Sequence, residues 1–277
     1  MIGRPKTDLS RAVLTTSHFN RVKRMLHDYS GIFLGDGKEA LVKARLLKRL
    51  RKLGLDDFDD YFDFIENDAT GVEFLSLVDV LTTNKTSFFR ESQHFDYIND
   101  VVMPSIKDRD VTWWSAGCSS GEEPYTLAMN FLEHKSPGSR GKLRLLATDI
   151  SSLVLQRARE GVYSGEHVKD IPTAMLRKYF TRIGANPEAW RVDPQIAAMI
   201  KFARLNLQEP WPMKGPFNII MCRNVMIYFN RETQQKLIKR FYDLLEPGGY
   251  LFLGHSETIS GPSLGFVSVR PAAYQKK

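Results

Sequence analysis

The chain has 277 residues, 43% of them hydrophobic and 26% charged, with a formal net charge of +7 and two cysteines. That balance excludes a disordered chain and a disulfide scaffold, and it leaves room for one large globular domain or two smaller ones. No apolar run approaches the ~18 residues of a membrane span, and the N-terminus MIGRPKTDLSR has no apolar signal core, so a cytoplasmic protein without membrane insertion is expected.

The positive charge implies an acidic partner, whether nucleic acid, anionic membrane or acidic protein surface. Residues 1 to about 80 carry helical periodicity and little strand character. Within them LVKARLLKRLRK, residues 41–52, holds six basic side chains and no acid. At about 100° per residue Val42, Leu46, Leu47, Leu50 and Leu53 share one face, and Arg45, Lys48, Arg49, Arg51 and Lys52 cover an opposite arc of roughly 160°. Such a face is either a solvated surface or a docking surface, and the acids that follow, from Asp56 to Asp68, are grouped separately. The composition changes near 80–90, so domains over 1–85 and 86–277 are expected. Beyond the boundary, short apolar strands alternate with helical stretches. Strands are predicted at Val111–Ala116, Leu143–Thr148, Ile200–Arg204, Phe217–Met221, Tyr250–Leu253, Phe266–Arg270 and Ala273–Gln275, and helices at Pro124–Glu133, Ser152–Arg159 and Arg231–Leu245. This α/β alternation predicts a mainly parallel sheet covered by helices on both faces. Residues 161–199 interrupt it as a small inserted subdomain, and LLEPGGYLFLG reads as a helix end, a turn and a buried strand.

WSAGCSSGEEPY, residues 114–125, runs a strand into a turn holding Gly117 and Gly121, followed by a helix. In open α/β sheets ligands lie at the carboxyl ends of the strands, here the turn after Ala116 and the residues following Thr148 and Met221. Asp149 ends the second strand, where a carboxylate suits the two hydroxyls of a ribose; it equally suits the cap of a helix starting near Ser151 or Ser152. The glycine spacing misses G-x-G-x-x-G, and Glu122 and Glu123 would each repel a pyrophosphate by roughly 1 kcal/mol or more. A nicotinamide dinucleotide is therefore disfavoured. S-adenosylmethionine has a ribose diol, a cationic sulfonium, an ammonium group and no phosphate, so the carboxylates favour it; alternatively the glutamates only complement a helix dipole. Cys118 and Cys222 read as small packed residues near strand ends, without metal-ligand spacing.

Five blocks carry a family resemblance: LTTNKTSFFR at 81–90, SAGCSSGEEPY at 115–125, ATDI at 147–150, ARLNL at 203–207 and MCRNVMIYF at 221–229. Together they resemble the chemotaxis receptor glutamate methyltransferases, the CheR family, over nearly the whole chain. The resemblance implies an N-terminal helical domain joined to a class I S-adenosylmethionine-dependent methyltransferase domain, Rossmann-like, mainly parallel with an antiparallel C-terminal strand, and carrying a small β-subdomain. It implies methyl transfer to glutamates on the cytoplasmic helices of chemoreceptors. By it, Asn84, Thr86 and Arg90 line the cofactor site, Glu123 and Asp149 hold the methionyl–ribose part and the ribose hydroxyls, Asn206 and Leu207 flank the adenine, and Cys222 and Arg223 complete the pocket. Arg90 and Tyr228 are then the catalytic pair, with a Tyr228 hydrogen bond holding Arg90. The basic face of Arg45, Lys48, Arg49, Arg51 and Lys52 would dock the glutamate-rich receptor helices. Family members that also bind a receptor tail on the subdomain have a glycine-richer loop than TRIGANPEAW, which argues against tail binding here. No metal, no nucleic-acid partner and a monomer are expected. The competing readings are a nucleic-acid methyltransferase, for which no aromatic-rich base-stacking motif is present, and a cofactor-binding module without catalysis.

Overall fold

Thr15 starts the first helix of the computed structural model: its side chain accepts from the His18 N–H at 3.2 Å while His18 Nδ1 accepts the Thr15 N–H, a reciprocal cap. The structure describes residues 9, 12–106, 108–185, 188–259 and 264–277. The N-terminal stretch read for a signal core, apart from Leu9, lies outside them, as do Asn186 and Pro187 of the TRIGANPEAW loop. Among the described residues no helix is long and apolar enough to cross a membrane. The chain divides into two compact units, Met1–Thr83 and Asn84–Lys277.

The first unit carries helices α1 (Thr16–Ser30), α2 (Glu39–Leu53), α3 (Phe58–Asn67) and α4 (Val72–Leu81). Val42, Leu46 and Leu50 of α2 are fully buried, as the apolar stripe requires. The basic arc opposite is not uniform. Arg49 sits only about 20° round the helix from Val42 and about 40° from Leu53, on the shoulder of that stripe. Its guanidinium turns inward, with Nε donating to Glu73 Oε1 at 2.9 Å and Nη2 to Oε2 at 2.5 Å, while the Tyr61 hydroxyl donates to the same carboxylate at 2.9 Å. Arg45 Nη1 donates to the carbonyls of Leu81 and Thr82 at 2.8 and 3.1 Å, closing the C-terminal end of α4. Contrary to the expectation of five docking cations, Arg45 and Arg49 are held inside their own unit. Lys48, Arg51 and Lys52 remain exposed.

The second unit opens with a non-helical segment, then α5 (Gln93–Tyr97), a π turn (Ile98–Val102) and α6 (Met103–Ile106). Its framework is β1 (Val111–Ala116), α7 (Glu122–His134), β2 (Leu143–Asp149), α8 (Ser152–Glu160), β6 (Ile200–Arg204), β7 (Phe217–Cys222), α12 (Arg231–Leu244), β8 (Leu245–Leu253), β9 (Phe266–Arg270) and β10 (Ala273–Lys276). Between α8 and β6 lie β3 (Val162–Ser164), α9 (Gly165–Val168), α10 (Thr173–Tyr179), β4 (Phe180–Ala185), β5 (Glu188–Val192) and α11 (Pro194–Ala197).

The seven-stranded sheet has the order β6-β2-β1-β7-β8-β10-β9. Its β6, β2, β1, β7 and β8 pair in parallel, and β10 runs antiparallel to both neighbours. The sheet is thus mostly parallel with one antiparallel strand near its C-terminal edge. Every residue of β7 is buried, the signature of a strand covered on both faces. Strand order reverses beside β1, so the crevice of the fold opens at the carboxyl ends of β1 and β7. The insertion forms a separate antiparallel sheet, β3-β5-β4, with as much helix as strand around it.

Two element boundaries differ from the sequence reading by more than one residue. Helix α7 begins at Glu122, not Pro124, which puts both glutamates in its first turn. Strand β8 begins before the Pro-Gly-Gly turn, because Leu245 already pairs with Phe217; the ladder resumes at Ile219 and Tyr250, with Glu246–Gly249 bulged out between.

The Arg49–Glu73 pair sets an expectation for stability. Arg49→Ala leaves a buried carboxylate without its cation, so the helical unit should lose about 3 kcal/mol. Lys48→Ala should change it by less than about 0.5 kcal/mol. Urea unfolding followed by helical circular dichroism checks both.

Candidate active site

The carboxyl end of β1 turns on Gly117, at φ 84°. A β-carbon there would lie 2.4 Å from Val225 Cγ2, so only glycine lets the turn and the loop after β7 pack together. The N–H groups of Gly117 and Cys118 both donate to the Thr148 carbonyl, at 2.8 and 2.9 Å, and that of Gly121 to the Cys118 carbonyl at 3.1 Å. Ser119 N–H donates to Asp149 Oδ2 at 2.8 Å. At the start of α7, Pro124 has no N–H to offer. The turn therefore looks like a phosphate cradle in sequence, but four of its backbone donors, those of Gly117, Cys118, Ser119 and Gly121, are used internally. A phosphate needs such donors unengaged. A ligand bearing hydroxyls and positive charge needs acceptors, which Glu123 in the first turn of α7 and Asp149 at the end of β2 supply. On this donor set the residues fit S-adenosylmethionine better than a dinucleotide.

Ser119 links several of the expected residues. Its hydroxyl donates to the Asn84 carbonyl at 2.9 Å while its N–H holds Asp149. Asp149 also accepts the Ser151 N–H at 2.9 Å, and the Ser151 side chain, not Asp149, caps α8. The Leu205 N–H donates to the Asp149 carbonyl at 3.0 Å, which brings Asn206 and Leu207 beside the end of β2. Arg240 of α12, stacked 3.6 Å above the Trp211 ring, donates to the Leu207 carbonyl at 2.6 Å and fixes that loop. Phe88 is buried edge-on against Tyr163 and Phe180 and anchors the segment carrying Asn84, half-buried Thr86 and Arg90.

Arg223, at the end of β7, is the centre of charge. Its side chain is 3% exposed. Nε donates to Glu123 Oε2 at 2.7 Å, Nη1 donates to the Arg90 carbonyl at 2.6 Å, and Nη1 lies 3.5 Å from Glu91 Oε2 and 3.4 Å from His94 Nδ1. Glu123 Oε1 accepts from Ser115 Oγ at 2.7 Å. The acidity read from the GEE turn is thus tempered: Glu123 has a guanidinium partner. Glu122, accepting from Ser120 Oγ at 2.7 Å, is pushed upward in pKa by burial. Glu91, His94 and His255 present ligand-type atoms within 4.8 Å of one another. Arg223 already supplies the positive charge at two of them, which disfavours a metal ion there. Burial raises the thiols of Cys118 and Cys222 well above their usual range, so both stay neutral.

Arg90 is held differently from the expectation. Nη1 donates to the Lys85 carbonyl at 2.8 Å and Nη2 to Asn224 Oδ1 at 2.7 Å. Tyr228, on a short 3-10 turn (Met226–Tyr228), makes no hydrogen bond to Arg90; Asn224 takes that place. Asn224, Glu91, His94 and Glu257 join the site without being singled out by the sequence motifs. Glu257 accepts the N–H groups of Asn224, Ile227 and Gly254 at 2.8, 3.1 and 2.6 Å and so shapes the turn that carries Tyr228. No sequence signal joins residues 33 apart in this way. Asn224 had one: it lies between Arg223 and Tyr228 in MCRNVMIYF.

Residues 17–82 match the "CheR methyltransferase, all-alpha domain" and residues 84–272 the "CheR methyltransferase, SAM binding domain". A chemotaxis protein methyltransferase of Borreliella burgdorferi is 36% identical over 274 residues, covering 95% of each chain. One from Escherichia coli is 40% identical over 252 residues, covering 90% of this chain and 87% of that one.

Burial first, and then the Arg223 charge, push His94 from its ordinary 6.5 down to about 4. The unfolded chain binds this proton as pH falls through 6.5, while the folded chain refuses it until about 4. Stability present above 6.5 is therefore lost across that window, by up to about 3 kcal/mol from this group. Thermal melts from pH 7 to 4 should show a shallower decline for His94→Gln than for the unaltered chain.

Proposed function

The chain belongs to the CheR methyltransferase family, and from that premise we propose that it esterifies glutamate side chains on the cytoplasmic helices of chemoreceptors, using S-adenosylmethionine. In this reading Asn84, Thr86, Glu123, Asp149, Asn206, Leu207, Cys222 and Arg223 hold the cofactor, which supplies an electrophilic methyl group when bound. Arg90 and Tyr228 face the reacting groups, and the protein works in the cytoplasm as a monomer.

The observation that carries the reading is how Arg90 is held. Both of its side-chain hydrogen bonds go to neutral oxygens, and its nearest carboxylate, Glu91, stands 4.0 Å from Nε. Its side chain is 33% exposed. The positive charge is therefore oriented with no carboxylate hydrogen-bonded to it, and it suits an incoming carboxylate. A glutamate acceptor, ionised at neutral pH, needs no general base. Its charge diminishes as it attacks, so a rigid bidentate grip would stabilise the ground state more than the transition state. A single orienting contact from Arg90 avoids that loss. Positioning in line is the main contribution required of the protein.

The finer docking reading now rests on Lys48, Arg51 and Lys52, the exposed part of the basic face. An acidic receptor helix is attracted there by long-range charge, and the attraction is screened by salt.

Incubation with labelled S-adenosylmethionine and receptor fragments should yield an alkali-labile methyl ester on glutamate; label that resists alkali would reject the reaction. Arg90→Ala should lower transfer by two or more orders of magnitude with a smaller loss of S-adenosylhomocysteine affinity by calorimetry. Replacing Lys48, Arg51 and Lys52 together by Ala should raise the receptor KM several-fold at low salt and spare cofactor binding; an unchanged KM would remove the docking role.

A further inference from the structure

Asn224 adopts φ 59°, a left-handed conformation that asparagine tolerates better than most side chains. Its backbone is held there from outside, by the N–H bond to Glu257 Oε2 at 2.8 Å. Its side chain reaches back to the segment before α5: Oδ1 accepts from Arg90 Nη2 at 2.7 Å, and Nδ2 donates to Glu91 Oε1 at 3.0 Å. The amide orientation follows from its partners, since the reverse would set N–H against a guanidinium and oxygen against a carboxylate. Few side chains can make this bridge. A carboxylate would face Glu91 with like charge, and an apolar residue would remove one hydrogen bond from each partner.

The bridge has two consequences. It fixes the direction of Arg90, and it engages the carboxylate best placed to neutralise Arg90. Burial alone would raise Glu91, but the Asn224 hydrogen bond and the Arg223 charge hold it below its usual range, so it stays an anion. Without the amide, the nearest partner for Arg90 Nε would be that anion.

We propose that Asn224 is a positioning residue for methyl transfer, orienting Arg90 and keeping Glu91 from hydrogen-bonding to it, so that the guanidinium remains available to the acceptor carboxylate. The inference rests on the role given to Arg90 above.

A double-mutant cycle tests it. Asn224→Gly keeps the left-handed backbone accessible while removing the amide, and Asn224→Asp keeps the size while reversing the polarity toward Glu91. Each should lower kcat by about 10- to 100-fold, the scale of a misplaced reacting group. Receptor KM and S-adenosylhomocysteine affinity should stay within about threefold. In an Arg90→Ala background, Asn224→Gly should cause no further loss, because its effect passes through Arg90. Three results would overturn the role: unaltered kcat in both variants, losses that add in the double variant, or cofactor affinity falling as far as kcat. A purely structural asparagine gives the second or third. If the unaltered chain itself transfers no methyl group to receptor, the functional reading fails, a result distinct from any of these three.

Discussion

A guanidinium buried at the carboxyl end of β7 is the constraint around which the catalytic unit is organised. A charge so far from water is tolerated only when paired and hydrogen-bonded. Arg223 meets that condition by drawing in Glu123 from α7, the Arg90 carbonyl from the segment before α5, and Glu91 and His94 that follow it. Residues a hundred or more positions apart are thereby locked at the mouth of the sheet. The crevice that results from strand order acquires its chemistry from this one pairing requirement.

The same requirement accounts for the backbone around it. Phe89, Glu91, Ser119 and Asn224 all have φ between 49° and 59°, conformations that cost about 1 kcal/mol or more each for residues other than glycine. Three are held by a bond from their own N–H, Phe89 to Thr126, Ser119 to Asp149 and Asn224 to Glu257, and Glu91 is held through its side chain by Asn224. These four lie in the segments that present Arg90, the turn after β1 and the loop after β7, while Leu264 and Ala272 adopt the same region beside β9 and β10. The sheet, ordered and apolar, supplies the stability against which this strain is maintained.

Charge is handled by a common rule in both units. Where geometry lets a long basic side chain reach a buried acceptor, it turns inward, as Arg49 does to Glu73 and Arg223 to Glu123. Where it does not, as at Lys48, Arg51 and Lys52, the charge stays in water and remains available at long range. Net charge therefore overstates what a partner meets.

Much of this was legible in residue order. Alternating apolar strands and helices, the glycine turn after Ala116 and an acid ending β2 are local patterns, and local patterns follow from backbone sterics and periodic burial. Five short motifs in order sufficed to identify the family. What the order of residues could not convey was pairing: that Asn224 rather than Tyr228 holds Arg90, that Glu123 meets Arg223, that Arg49 lies inside while Lys48 does not, and that the turn's N–H groups close on Thr148 and Asp149. These depend on distances between residues up to 134 apart. Only packing sets such distances, because a hydrogen bond is decided within a few tenths of an ångström and a sequence motif carries no such measure.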